Sequence, residues 1–223
     1  MGFRQQSLVS SLLVISVLCC CGMGNNIYKN QDNERGICGW CQCHFHTKSV
    51  ICTSLPFKPP KLVKLPFWVE NLSTFNITMI ELPHFEDHKK LRELRINHCG
   101  LKRIDSLSFV TLSNLEVLNF ADNLIEELPE LLLQPLHHLR VLNLARNKIS
   151  DLTRLNLHTS SRVVLEVLNL NGNSLQFVNE KIKLPKVKRL YMENANIAKI
   201  NANGMGFKTH NQVIIGSTRG ILY

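Results

Sequence analysis

Residues 115–125 read LEVLNFADNLI, residues 139–149 read LRVLNLARNKI, and residues 165–175 read LEVLNLNGNSL. All three fit L-x-x-L-x-L-x-x-N-x-L, on Leu115, Leu118, Phe120, Asn123 and Ile125, then Leu139, Leu142, Leu144, Asn147 and Ile149, then Leu165, Leu168, Leu170, Asn173 and Leu175. The L-x-L part has the two-residue alternation of a β-strand, with leucines on one face and the intervening residues on the other. Copies recur about every two dozen residues, the size of one supersecondary unit that buries its apolar face only against a neighbour. A buried Leu contributes roughly 1.5 to 3 kcal/mol, and only when the next layer covers it. One copy alone would not fold.

The pattern decays outward from these three copies. Upstream, Leu91, Leu94, Ile96, Cys99 and Leu101 form a copy with Cys where Asn stands elsewhere. Before it, Leu72, Phe75, Ile77, Ile80 and Leu82 fit with Ile80 in that place, and downstream Val187, Leu190, Met192, Ala195 and Ile197 fit with Ala195. On these residues the chain resembles the extracellular leucine-rich-repeat proteins, which include Toll-like receptor ectodomains and small leucine-rich proteoglycans. The resemblance covers residues 38 to about 200. It implies an α/β solenoid: a curved parallel sheet on the concave side, loops and short helical turns on the convex side, and about six repeats over residues 67–200. Phe109 matches the position where the family places a Phe between repeat rows.

The chain has 223 residues, enough for one domain with a shared core. Its net charge of +9 and pI near 9.3 suit acidic partners such as sulfated glycans, or serve solubility alone. Residues 1–24 read as a signal peptide, with Arg4 in the charged region, an apolar run from Leu8 to Leu18, and Gly22 and Gly24 near a cleavage point. An uncleaved anchor is the second reading. No other stretch approaches the roughly 20 apolar residues of a membrane span. The mature chain is therefore expected to be secreted and extracellular.

Three of the eight cysteines lie in that leader; Cys38, Cys41, Cys43 and Cys52 cluster ahead of the repeats, and Cys99 is left over. The cluster looks like the N-terminal cap of the family, which implies the disulfides Cys38–Cys43 and Cys41–Cys52. Such a cap covers the open apolar end of the first repeat. It forms, with a Lys- and Pro-rich extended connector, the segment 38–66. Zinc binding competes for the same residues, since His44 and His46 lie beside Cys41 and Cys43. Cys99 reads either as a buried substitute for the repeat Asn or as a reactive or intermolecular thiol. Asn71-Leu-Ser and Asn76-Ile-Thr are glycosylation sequons. A glycan on Asn76 is expected at the N-terminal edge of the concave face.

Strand ends bury backbone groups that need partners. Asn123, Asn147 and Asn173 offer a donor and an acceptor each, and together with Cys99 are expected to form a structural ladder. Outward residues of the strands line the concave face: Thr74, Asn76 and Thr78, then Glu93, Arg95 and Asn97, then Val117, Asn119 and Ala121, then Val141, Asn143 and Ala145, then Val167, Asn169 and Asn171, then Arg189, Tyr191 and Glu193. The middle rows are columns of Val, Asn and small residues between charged ends. A shallow, weakly charged face suits a protein ligand or receptor rather than a nucleic acid, unless Val and Asn are there only as strand formers. Two basic runs, His88 to Arg92 and Lys181 to Arg189, suggest a glycan-binding matrix protein as the alternative.

No phosphate loop, G-x-S-x-G or H-E-x-x-H occurs, so neither an enzyme nor a cofactor is expected. After Ile200 the pattern fades into residues 201–223, an atypical tail without cysteine. That tail reads as the end of a short secreted form or as the cut edge of a membrane-anchored receptor.

Overall fold

The computed structural model describes residues 37–39, 41–53, 62–63, 65–75, 84–85, 88–155, 163–175, 177–178, 184, 186–197, 199–200, 212–214 and 221–222. All belong to one compact unit from Arg35 to Tyr223. Residues 1–36, Asn76, Thr78, Lys181 and Lys183 lie outside the described residues.

A nine-stranded sheet runs along the chain in sequence order: Gln42–His44, Ser49–Cys52, Asn71–Phe75, Glu93–Asn97, Val117–Asn119, Val141–Asn143, Leu165–Asn169, Val187–Tyr191 and Gln212–Ile214. The first two strands pair antiparallel as a hairpin; every later junction is parallel. Parallel strands in sequence order need a return segment between each pair, and the two dozen residues of each repeat supply it. The result is a parallel-sheet solenoid.

Register follows the repeated leucines. Leu72, Leu94, Leu118, Leu142, Leu168, Leu190 and Val213 stand opposite one another across successive strands. The five from Leu94 to Leu190 are 0% exposed, and Leu72, which lies under the cap, is 3% exposed. A second inward column holds Ile96, Phe120, Leu144, Leu170 and Met192, and a third, Leu101, Ile125, Ile149, Leu175 and Ile197, closes each layer; all are buried. Phe109 is fully buried with its ring 6.2 Å from that of Phe120, between two layers.

The cap is built as the resemblance implied. Cys38 is bonded to Cys43 and Cys41 to Cys52. Strand Ser49–Cys52 pairs in parallel with Asn71–Phe75, placing fully buried Val50 opposite Leu72. The apolar end of the solenoid is thereby covered, and the last edge is the antiparallel hairpin strand Gln42–His44, which carries polar, exposed residues at both ends.

Three readings of the sequence change. The first copy is shifted by three residues: Leu72 pairs with Leu94, so Val69 and Leu72, not Leu72 and Phe75, are its first two inward positions. The competing apolar set Leu72, Phe75, Ile77 satisfies the same spacing, which is why the pattern alone misplaced it. Thr74 consequently faces the interior, opposite Ile96, and its hydroxyl lies 3.5 Å from the Cys99 sulfur; Asn71 and Ser73 take its place on the outer face, opposite Glu93 and Arg95. The tail carries a further strand, since Gln212–Ile214 continues the parallel sheet beside Val187–Tyr191. Finally, the return segments are 3-10 turns in the middle of the array, Ser106–Phe109 and Thr153–Leu155. Towards both ends they are short strands instead: Leu62–Val63 pairs with His84–Phe85, and Phe177–Val178, Lys199–Ile200 and Ile221–Leu222 form a ribbon.

Candidate functional site

The outer face of the sheet is an array set by register. One column runs Asn71, Glu93, Val117, Val141, Val167, Arg189 and Gln212. The next runs Ser73, Arg95, Asn119, Asn143, Asn169, Tyr191 and Ile214. The structure thus brings Val117, Val141 and Val167 together, and Asn119, Asn143 and Asn169 beside them.

The asparagine column has a job within the fold. The side-chain oxygen of Asn119 accepts from the backbone N–H of Ala121 at 3.0 Å, that of Asn143 from Ala145 at 3.1 Å, and that of Asn169 from Asn171 at 3.0 Å. Each is an Asx turn that starts the bend at the strand end. Asn119 is itself buried, as are Ala121 and Ala145, so the middle of the face is shallow and its partly exposed apolar part is the half-buried valine column.

Charges at the two ends of the face differ. Glu93 and Arg95, on one strand, form an ion pair. Glu193 is held by Asn171, whose amide donates to its carboxylate at 3.0 Å and accepts from its backbone N–H at 2.7 Å. Arg189 is exposed, and no ion pair engages it among the described residues.

Behind the face lies the interlayer ladder. Asn123 accepts from the backbone N–H groups of Cys99 and Leu101, both at 3.0 Å, and its amide donates to the Ile96 carbonyl at 2.7 Å. Asn147 accepts from Ile125 at 3.0 Å and donates to Phe120 at 2.9 Å. Asn173 accepts from Ile149 at 3.0 Å and donates to Leu144 at 2.9 Å. Cys99 is buried in the same row and donates its S–H to the Asn97 carbonyl, 3.2 Å away.

Two edges flank the sheet, and the sequence reading passed over both. Along the strand starts, Lys48, Glu70, Arg92, Glu116, Arg140, Glu166 and Lys188 alternate in sign, one per layer. Lys48 meets Glu70 at 2.6 Å, Arg92 lies 3.9 Å from Glu70 and pairs with Glu116, Arg140 lies 3.9 Å from Glu116 and 3.0 Å from Glu166, and Lys188 lies 4.0 Å from Glu166. The Lys48 ammonium holds the Glu70 carboxyl below its ordinary value. The signal was available as a charge that flips at each residue following the first inward position.

Along the opposite edge, the equivalent residue of each layer adopts the left-handed conformation: His98, Asp122, Arg146, Gly172 and Asn194, joined in the outer two of these layers by Gly100 and Asn196. Arg146 donates to Asp122 at 2.6 Å, and this bond holds the Asp122 carboxyl below its ordinary value against the opposing effect of burial. Gly172 takes this conformation without strain, and a Cβ there would sit 3.1 Å from Cγ of Arg146, whose side chain would have to shift slightly.

The basic runs are dispersed by the fold. His88 is buried in the place that Leu112 and Leu136 hold in later layers, with Nε2 2.7 Å from the Val69 carbonyl. Arg92 and Lys188 belong to the alternating ladder, and Lys90 stands over the ring of Phe67 at 5.4 Å. The sequon residue Asn71 stands at the cap end of the first column, its amide 3.3 Å from the Thr47 carbonyl. The sulfurs near His44 and His46 are consumed by disulfides, which removes the thiolates a zinc site would need. No cluster of three or more metal-ligating side chains forms among the described residues, and no described helix is long and apolar enough to cross a membrane.

Residues 89–149 match the family model described as leucine rich repeat. No curated protein sequence matches the chain. Among solved structures, the chain is similar in fold to that of the TLR13–ssRNA13 complex, with 23% identity, a TM-score of 0.58, and 69% of this chain covered. It is similar also to the LRIM1/APL1C complex, with 18% identity, a TM-score of 0.59 and 78% covered. At these identities the likeness is one of fold. The aligned part spans 22% and 33% of those two chains.

Proposed function

Because the stacked repeats of this chain are leucine-rich repeats closed by a disulfide-stapled cap, we propose that it is a secreted binding protein that recognises another protein through the outer face of its sheet. The observation that carries this reading is the in-register column Val117, Val141 and Val167, an apolar strip on an otherwise polar face. Strips of this kind gain little by facing water and are suited to a partner's apolar side chains. The role is of an immune, adhesion or matrix type. Binding rather than catalysis fits a face whose polar side chains are occupied by Asx turns and ion pairs. Disulfides persist in oxidising compartments, which supports export and the reading of residues 1–24 as a leader. Glycosylation of Asn71 belongs to the same proposal and would mark the cap end of the face.

A polyanion fits less well. Sulfated glycans and nucleic acids draw on unpaired cations, and here most cations along the strand starts face carboxylates in the next layer. The fold neighbour crystallised with ssRNA does not transfer its ligand to this chain.

The experiment is an extracellular-protein array probed with the purified full chain, its Val141→Arg variant, and a Gln134→Arg control on an exposed return turn. Partners bound by wild type and by the control but lost with Val141→Arg support the reading. Partners indifferent to Val141→Arg remove it.

A further inference from the structure

The outer face is not uniform: among the described residues of its two outward columns, one charge stands outside an ion pair. Of the charged side chains described in the two outward columns, Glu93 and Arg95 pair with each other, and Glu193, at a strand end, is clamped by Asn171. Arg189 is exposed and has no ion-pair partner among the described residues. Register sets Arg189 between Val167 and Gln212, and sets Tyr191, two residues along the same strand, between Asn169 and Ile214. Ile214 is 38% exposed and Tyr191 is half-buried. Arg189 therefore stands beside Val167 on the sheet, with Tyr191 two residues along its strand and Ile214 diagonally across.

Resting on the proposal of protein recognition through this face, we infer that Arg189 and Tyr191 are its anchor point, and that the partner presents an Asp or Glu carboxylate flanked by apolar side chains. Arg and Tyr carry a disproportionate share of interface energy because they combine area with directed hydrogen bonds. Arg presents a planar fork that matches a carboxylate with two parallel bonds. Held on one strand, both side chains start from a fixed backbone, so less ordering is needed on binding. A sulfated glycan is the less suitable ligand, since one guanidinium among apolar groups does not match a repeating polyanion.

Random linear peptides selected on the purified full chain provide the probe, with heparin oligosaccharide as a second arm. The expected result is enrichment of peptides with Asp or Glu beside aliphatic or aromatic residues. Their affinity should fall at least about tenfold in Arg189→Glu and Tyr191→Ala, fall measurably in the milder Arg189→Gln, and stay unchanged in Gln134→Glu on the exposed return turn. Unfolding transitions of the variants show that they remain folded. If the selected peptides bind Arg189→Glu like wild type but are lost with Val141→Arg, this inference falls and the face reading stands. If they are indifferent to both, both fall. Failure to enrich acidic peptides, or Arg189-dependent binding of heparin alone, also overturns it.

Discussion

The side-chain oxygen of Asn147 lies 3.0 Å from the backbone nitrogen of Ile125, one layer earlier in the solenoid. The same side chain donates to the Phe120 carbonyl at 2.9 Å, so one residue ties together two layers that are distant in sequence. Replacing Asn147 with Ala leaves these backbone groups buried and unpaired. The expected cost is about 2 kcal/mol, read as a lower midpoint in denaturant unfolding. A cost near zero would show that water replaces the amide.

Leu142 is fully buried between Leu118 and Leu168. Leu142→Ala should cost about 2 to 5 kcal/mol by lost burial and the cavity left behind. The outward neighbour Val141 is half-buried, and Val141→Ala should cost markedly less by the same assay.

Cys41 and Cys52 close a loop with a sequence separation of 11. Replacing both with Ser should destabilise the chain by about 3 kcal/mol. Hydrogen exchange should localise the effect to the layers under the cap, Val50 and Leu72 above all, leaving the Leu142 layer protected.

Glu116 stands between Arg92 and Arg140 in the alternating ladder. Glu116→Lys turns attraction into repulsion with both neighbours, at an expected cost of about 1 kcal/mol in low salt. Raising the ionic strength should shrink that difference, because exposed charges are screened. Unfolding at two salt concentrations reads it.

Asp122 titrates below its ordinary value of 3.8 because Arg146 donates to it. A depressed native value means that the native state releases this proton more readily than the unfolded chain. The stabilisation is therefore complete above about the ordinary value and is lost as pH falls through the native one. Following the Asp122 carboxyl by NMR should give a native midpoint below 3.8, and Arg146→Gln should move it upward.

What was legible in the sequence was what the repeat imposes on every copy. The inward leucines and the ladder residues Asn123, Asn147 and Asn173 occupy fixed offsets, and both disulfides follow from the likeness to a known cap. Single-copy departures were not legible. Thr74 faces inward where other copies have Ile, Phe, Leu or Met, so an apolar pattern search slid past it to Phe75 and Ile77. His88 fills a leucine position by bonding the Val69 carbonyl, a contact that no spacing reveals. Gln212–Ile214 has lost the motif and is a strand because Tyr191 and its neighbours offer an edge to pair with. On the candidate face, the columns were readable from the two-residue alternation. The Asx turns of Asn119, Asn143 and Asn169 and the pairing that neutralises Arg95 were not, and these decide which polar groups remain for a partner.

The most direct test of the account compares Val141→Arg with Gln134→Arg in binding to partners found on the extracellular-protein array, both variants first shown to unfold like wild type. The account predicts that partners bind the Gln134→Arg control at wild-type strength and bind Val141→Arg at least about tenfold more weakly. Equal binding by both variants would contradict it and place recognition elsewhere on the solenoid.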